Sequence, residues 1–556
     1  MLSASGGAPG ESPAADAWEV ADPMIRHPTG LLTGVCWLAM VAIAFATRPL
    51  IPVDETRYVT VAWEMWVNHS FAVPLLNGLP YAHKPPLFFW LIDAGWMLFG
   101  VNEWWPRLVA PLCALANLAL IDRLALRLWP ERPRIRDLAP LIFVGTWFVA
   151  VYLTAVMFDM LLLTCILGAW LALHIALRGG MTRGLTAFGV MLGLGLLTKG
   201  PVVFVYTLPL ALSAPLWCGD SVPARWSHWY AATFVATVFG IAIAGVWLLA
   251  LLRSADPNYF GQLLVNQTAD RVAGALGHGR PWWWYLPFVP VLLLPWIAWP
   301  AMWRGCYRLT QRPIDTGLRF AVIGIGSGLL VLSFIGGKQV HYLLPLLALA
   351  ALLLARAIEE VPSIDRRIGR LPVALLMSPI LLVPLYMLLH SFGQFGALRP
   401  DSVPIWCPIA LLAPMAGLVG IKPRVASEIV PRVATLSVAF AAICLAVACH
   451  MLGREFDMEP LGDYLRQQQE SNHPLAIVGE YQGQFGFYAR LRQPIKSLTS
   501  DDAQSWALSN PTGQIILKPG REAPAEVRVD FRDRALDGDW VVIACRNLLD
   551  SNRVGK

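Results

Sequence analysis

The sequence predicts an α-helical polytopic membrane protein that ends in a small α/β domain, and three observations carry that prediction. Of 556 residues, 56% are hydrophobic and only 14% charged, whereas a soluble domain carries about 25% charged residues. The apolar residues come in runs long enough to cross a bilayer, about thirteen of them at ~20 residues each. The last stretch, Gly453–Lys556, abandons that pattern for short β-type runs between polar turns. A soluble fold of this length would have to bury nearly all its surface, which surface-to-volume scaling forbids. Disorder, a coiled coil and a disulfide scaffold are excluded by the same composition. The nine cysteines are scattered, mostly inside apolar runs, with no metal-ligand spacing.

The stretch to about His27 is rich in Gly, Ala, Pro and Ser without a cleavable signal pattern, so residues 1–30 read as a disordered cytoplasmic tail. The first membrane-length run is Leu31 to Leu50. Others begin near Trp104, Leu138, Met160, Gly184, Pro201, Tyr230, Trp284, Phe320, Tyr342, Leu371, Pro404 and Val433, so that residues 31–452 form the membrane unit. Basic residues recur in alternate connections: Arg123 to Arg136, Arg178 with Arg183, Arg225, Arg304 to Arg312, Arg356 to Arg370, and Lys422 to Arg432. The positive-inside rule puts these loops in the cytoplasm. The net charge of +6 therefore reports topology, and no nucleic-acid partner is expected.

Pro85–Gly100 is apolar, but it is about 16 residues long, follows two prolines and carries Asp93, which fits an interfacial helix rather than a span. Counting it as a span would invert every later assignment. With it lying on the outer face, loops 51–103 and 252–283, the turn Gly336–His341 and the tip at Phe158-Asp159 all face outward. So does the tail 453–556, whose strand-like runs are Leu475–Tyr481, Gln514–Lys518, Glu526–Phe531 and Trp540–Cys545.

These outer loops hold the residues that could carry chemistry. Asp54 and Glu55 follow the first run directly, and a helix starting at Asp54 would put Asp54 and Arg57 on one face. The plainer reading is a capped interfacial helix with a local ion pair. Lys84 stands before Pro85-Pro86, which holds it extended, and its ammonium could meet a phosphate or simply snorkel to the interface. Arg271 lies in an outer loop where topology asks for no positive charge, and a guanidinium fork suits phosphate oxygens. The tryptophans at 282–284 read most simply as an aromatic belt. Lys199, Lys338 and Asp159 complete the set, since ionisable groups near membrane depth default to function. Several cations beside a few carboxylates at the outer boundary suit a lipid-linked phosphate leaving group and an acid–base or positioning carboxylate.

Asp54-Glu55-Thr56-Arg57-Tyr58, followed by Lys84-Pro85-Pro86 with Phe89-Trp90, resembles the first periplasmic loop of bacterial lipid-carrier-dependent glycosyltransferases of the GT-C fold. These belong to the protein-mannosyltransferase superfamily, and the sequence is most similar to the aminoarabinose transferases that modify lipid A. Asp159, Thr198-Lys199-Gly200, Asp270-Arg271 with Trp284 to Pro287, and Lys338 to Tyr342 with Pro345 match in the family's order. The resemblance implies a multi-pass protein of the bacterial inner membrane whose site faces the periplasm. An undecaprenyl-type polyprenyl-phosphate sugar would be the donor, and lipid A or another envelope glycolipid the acceptor. Asp54 would be the catalytic carboxylate, with Glu55 and Asp159. Arg57, Lys84, Arg271, Lys199, Lys338 and Tyr342 would bind the donor phosphate, and Tyr58, Tyr81, His83, His278 and His341 would line the substrate cavity. Attack at the anomeric carbon would proceed with inversion.

The pattern departs from the aminoarabinose enzymes at His83, where they carry an acid, and at Lys338-Gln339-Val340, where a Lys-Leu-Pro-type turn is usual. No cofactor is required; the lesser alternative is a divalent cation held by His83, His278 and His341 with Glu55, which no ligand spacing supports. Two rival functions remain. A protein O-mannosyltransferase would use the same Asp54 as a general base on Ser or Thr. A lipid-linked sugar transporter would instead need ionisable residues mid-span in paired halves.

Overall fold

The computed structural model describes residues 28–254, 280–361, 425–520, 527–535 and 538–554. Eight helices among the described residues are long and apolar enough to cross a membrane. They answer the runs that begin at Leu31, Trp104, Met160, Gly184, Tyr230, Phe320, Tyr342 and Val433, while the runs from Leu371 and Pro404 lie outside the described residues. In chain order the first are α1 (Pro28–Thr47), α2 (Asp54–Val67), α3 (Leu87–Phe99) and α4 (Trp104–Leu128). At 13 residues and ~1.5 Å per residue, α3 is too short for a ~30 Å hydrocarbon core. It packs against α2 and α4, as an interfacial helix would.

Three expected spans are not continuous. The run from Leu138 forms α5 (Pro133–Val144) and α6 (Trp147–Tyr152), broken at Gly145-Thr146. A Cβ on Gly145 would come within 2.9 Å of the Ala434 backbone, and Ser437 Oγ donates to the Gly145 carbonyl at 2.6 Å, so the break is where the C-terminal span crosses closely. After α7 (Asp159–Leu177) and α8 (Met181–Lys199), the run from Pro201 gives α9, only Val202–Leu212, then a single turn α10 (Ala214–Trp217). The long α11 (Trp226–Ser254) lies on α8 through glycines: a Cβ on Gly189 would meet the Ala236 carbonyl at 2.5 Å. Small residues let backbones approach where no hydrophobic force drives helices together in lipid.

The run from Trp284 breaks into α12 (Phe288–Leu292), a 3-10 turn at Trp296–Ala298 and α13 (Pro300–Thr310). Pro290, Pro295 and Pro300 each remove a helical N–H, so this run cannot stay one helix. Then come α14 (Thr316–Phe334), α15 (Leu344–Glu359) and α16 (Ala426–Phe456), which runs past the expected boundary at Gly453.

The loops read as cytoplasmic meet one another. Arg132 pairs with Glu359 at 3.0 Å, Arg312 with Glu360 at 3.1 Å, and Arg356 with Asp315 at 3.1 Å. Three connections distant in sequence are thereby tied at one end of the bundle.

Beyond α17 (Glu459–Glu470) the chain forms a five-stranded sheet. A small hairpin, β1 (Leu75–Leu76) with β2 (Leu79–Pro80), precedes it in the first loop. The sheet strands are β3 (Leu475–Val478), β4 (Lys496–Leu498), β5 (Gln514–Leu517), β6 (Phe531–Ala535) and β7 (Gly538–Ala544), with α18 (Asp502–Ser509) and α19 (Cys545–Val554) between and after them. Their order is β4-β3-β5-β7-β6. β3 is parallel to β4 and β5, while β7 is antiparallel to β5 and β6. The strand expected over Glu526–Phe531 is instead Phe531–Ala535, which pairs antiparallel with β7 from Phe531 against Val542 to Ala535 against Gly538. β4 was not expected.

Asp93, on α3, faces inward rather than toward water. It is buried, with neither carboxylate oxygen hydrogen-bonded among the described residues, and burial pushes its carboxyl up to about 8. Its folded value exceeds its unfolded one, so the folded protein keeps a proton that the unfolded chain releases, and stability falls as pH rises from about 4 to about 8. Asp93→Asn is expected to remove that slope. Thermal unfolding should show the variant melting several degrees higher at pH 7.5 and alongside the parent near pH 4.5; an offset independent of pH would contradict the assignment.

Candidate active site

The end of the bundle opposite the arginine loops gathers side chains from six separate segments. Asp54 and Glu55 occupy the first turn of α2, where the helix dipole favours negative charge. The N-cap is Val53 rather than Asp54, which is the first helical residue. The expected ion pair forms, Arg57 Nη1 lying 3.7 Å from Asp54 Oδ1, and the Asp54 side chain remains 58% exposed.

Glu55 behaves oppositely. It is buried, pairs with Arg48 at the end of α1, and accepts hydrogen bonds from the Ile51 N–H at 3.0 Å and the Val156 N–H at 3.2 Å. Arg48 also donates to the Thr154 carbonyl at 3.2 Å. Glu55 thus locks the end of α1, the start of α2 and the 154–156 loop together.

Asp159 is the first residue of α7 and Lys199 the last of α8, ended by Gly200 at φ +73°. Their buried charges meet at 2.5 Å. Asp159 sits at a helix N-terminus and Lys199 at a helix C-terminus, so both dipoles support the pair. Tyr152 donates its hydroxyl to the other Asp159 oxygen at 2.9 Å. Lys199 Nζ also lies 4.9 Å from the Tyr342 ring centroid, and the Tyr342 carbonyl accepts the Tyr206 hydroxyl at 2.6 Å. His341 stacks on Tyr152 at 5.9 Å.

Lys84 extends over aromatic rings, its Nζ 5.5 Å from the Phe158 centroid and 5.9 Å from that of Tyr58. Tyr58 and Phe158 are themselves edge to face at 4.9 Å. Burial first, then the negative charges of Asp54 and Asp159 among its neighbours, drive the Tyr58 phenol well above its ordinary range and keep it protonated. Tyr81 is buried and its ring lies 5.1 Å from that of the exposed His83.

The structure therefore brings together Asp54, Arg57, Tyr58, Lys84, Asp159, Lys199, His341 and Tyr342, with Tyr81 and His83 beside them. Lys338 is buried and donates to the carbonyls of Arg280, at 3.2 Å, and Ile335. Burial lowers its pKa. Arg271 and His278 lie outside the described residues. Among the described residues no group of three His, Cys, Asp or Glu side chains could hold a metal ion. Glu55, one of the ligands weighed for a cation, is occupied by Arg48.

Sequence reading missed Arg48, Tyr152, Tyr206 and Gln482. Arg48 carried a usable signal, because an arginine at the outer end of the first span, like Arg57 and Arg271, stands where the charge rule asks for none.

Residues 83–252 match the family model described as dolichyl-phosphate-mannose-protein mannosyltransferase. The chain is similar to the undecaprenyl phosphate-alpha-4-amino-4-deoxy-L-arabinose arabinosyl transferase 2 of Pseudomonas fluorescens (strain Pf0-1), with 29% identity over 60% of this chain and 60% of that protein. The transferase of Pseudomonas savastanoi pv. phaseolicola is 30% identical over 58% of this chain and 61% of its own. The chain thus spans about 60% of the length of the curated relatives it matches. Its fold is that of ArnT from Cupriavidus metallidurans. The crystal structure of that protein bound to undecaprenyl phosphate superposes with a TM-score of 0.72 at 18% identity, covering 93% of this chain and 98% of that one. The apo form gives 0.74, covering 96% and 99%. The GT-C type of fold expected from the first loop is therefore the fold observed.

Breaking a buried ion pair by removing one partner costs about 3–5 kcal/mol, because the other charge is left uncompensated. Lys199→Met and Asp159→Asn are each expected to lower the unfolding temperature markedly. The double variant should recover much of that loss; equal or additive losses in thermal unfolding would contradict a coupled pair.

Proposed function

We propose that this chain is an integral-membrane glycosyltransferase that moves a sugar from a polyprenyl-phosphate carrier to an acceptor outside the cytoplasm, an envelope glycolipid such as lipid A. The observation that carries the reading is the convergence of Lys84, the Asp159–Lys199 pair and the open Asp54 carboxylate at one end of the bundle. The fold shared with an undecaprenyl-phosphate-binding ArnT and the similarity to aminoarabinose transferases support it.

In this reading the bond between the anomeric carbon and the phosphate oxygen breaks, and the electron pair leaves with polyprenyl phosphate. Lys84, joined by Arg271, neutralises the charge that develops on that phosphate. The Lys84 ammonium suits the task because it lies over the Phe158 and Tyr58 rings, partly withdrawn from water, where a charge acts more strongly than in bulk solvent. The acceptor oxygen forms the new bond on the opposite face, with inversion. A phosphate acceptor is already anionic, so Asp54 orients it; an acceptor hydroxyl gives its proton to Asp54. Lys199, held by Asp159, positions Tyr342 at the rim of the donor site. Lipid A modification, an inner-membrane location and a periplasmic face for the site belong to the same proposal, as does a periplasmic position for the C-terminal sheet.

A second reading, transfer to Ser or Thr of exported proteins, is favoured by the description of the family model over residues 83–252. The two differ in acid dependence, since only a hydroxyl acceptor requires a general base.

Asp54→Asn should reduce transfer from a polyprenyl-phosphate sugar by about 100-fold or more, with thermal stability unchanged because Asp54 is exposed. Product analysis by mass spectrometry with lipid A and with a Ser/Thr peptide checks both the loss and the acceptor. Full activity in the variant would refute the role given to Asp54.

A further inference from the structure

Arg57 does not end at Asp54. Its Nε donates to the Gln482 carbonyl at 3.1 Å and its Nη2 to Gln482 Oε1 at 3.3 Å. One residue of the C-terminal sheet region therefore takes two N–H groups of the guanidinium whose third nitrogen faces Asp54 at 3.7 Å. We infer that the loop after β3 forms a wall of the active site and that Gln482 is a positioning residue for the Arg57–Asp54 pair; the inference rests on the role proposed for Asp54.

Gln482 is held in the orientation this requires. Its own N–H donates to Gln484 Oε1 at 3.0 Å, and its Nε2 donates to Glu480 Oε2 at 3.3 Å, which leaves Oε1 turned to Arg57. The loop cannot retreat from α2. Gly483 adopts φ +84°, and a Cβ there would lie 3.1 Å from the Arg57 Cα. Thr60, one turn further along α2, donates to the Gly483 carbonyl at 3.0 Å and accepts the Phe487 N–H at 3.1 Å. Trp63 donates to the Leu491 carbonyl at 2.8 Å, and Asn77 exchanges two hydrogen bonds with Ile495, at 2.9 and 2.7 Å.

The physical need for the tether follows from exposure. An ion pair with one partner 58% exposed is screened by water and contributes little, while ordering a long arginine costs rotamer entropy. Alone, Arg57 would hold Asp54 only part of the time. With two acceptors of Gln482 fixing the guanidinium plane, Nη1 stays directed at the carboxylate. The loop also leaves the carboxyl end of β3, between parallel neighbours β4 and β5, the edge at which open α/β sheets present ligand-contact loops.

The experiment uses the full chain in lipid, with a polyprenyl-phosphate sugar and lipid A as probes. Gln482→Ala keeps the main-chain acceptor and removes Oε1; kcat is expected to fall about five- to tenfold, donor KM to change less than twofold, and the unfolding temperature to stay within about 2 °C. Gln482→Glu retains a side-chain acceptor for Arg57 and is expected to recover most of the kcat lost in Gln482→Ala. A merely structural residue would lose kcat and unfolding temperature together and would not split kcat from donor KM in this way. Unchanged kcat in Gln482→Ala, with the parent active, overturns the inference, and so does a kcat loss that tracks a lowered unfolding temperature. A parent that turns over no lipid-linked donor refutes the proposed activity instead. The tether is then judged by a double-mutant cycle of Arg57→Ala and Gln482→Ala in unfolding temperature, non-additive if it exists and additive if it does not.

Discussion

Charge at the edge of a hydrocarbon layer has to be matched, and the arrangement of this protein follows from how that is done at Asp159 and Lys199. Each ends a helix, each sits at the terminus whose dipole suits its sign, and the two meet at 2.5 Å in buried surroundings. The pair fixes the mouth between α7 and α8. It orders Tyr152 and Tyr342, and through Tyr152 it orders His341. A buried pair is not a cheap source of stability, since desolvation consumes most of the Coulomb gain. Its worth here is geometric: two rigid helix ends are pinned beside the Lys84 ammonium.

A second set of matched charges holds α2 above that mouth. Glu55 is clamped by Arg48 and two backbone N–H groups, and Glu64 accepts the Asn77 and Gly78 N–H groups at 2.7 and 2.9 Å, fixing the hairpin turn. Of the acids on α2, only Asp54 is left open to solvent. Carboxylates at adjacent positions therefore have different tasks, assigned by which face of one helix turn meets the protein and which meets water.

Much of this was legible in the sequence, and the limits have physical causes. Long apolar runs declare themselves, so α1, α4, α7 and α8 could be placed to within a few residues. The shortness of α3 was readable from its flanking prolines and Asp93. Where prolines crowd, as between Pro287 and Pro300, the same hydrophobicity reads as a span although the backbone cannot form one helix. Charge alternation identified the outer cations, and a motif resemblance ranked Asp54 first. Local sequence cannot say which way a side chain turns: Glu55 and Lys338 read as site residues, yet both are buried, Glu55 against Arg48 and two backbone N–H groups and Lys338 against backbone carbonyls. Nor could it find Gln482, whose partner lies 425 residues away, or the tyrosines that line the mouth, since an aromatic at a membrane boundary is unremarkable by itself.

The account turns on where an anionic carrier lipid docks. The most direct measurement is an experimental structure of the protein in lipid with undecaprenyl phosphate added. The phosphate should lie within hydrogen-bond reach, about 3 Å, of Lys84 and beside the Asp159–Lys199 pair. A phosphate seated instead at the opposite end of the bundle, among Arg132, Arg312 and Arg356, would contradict the account.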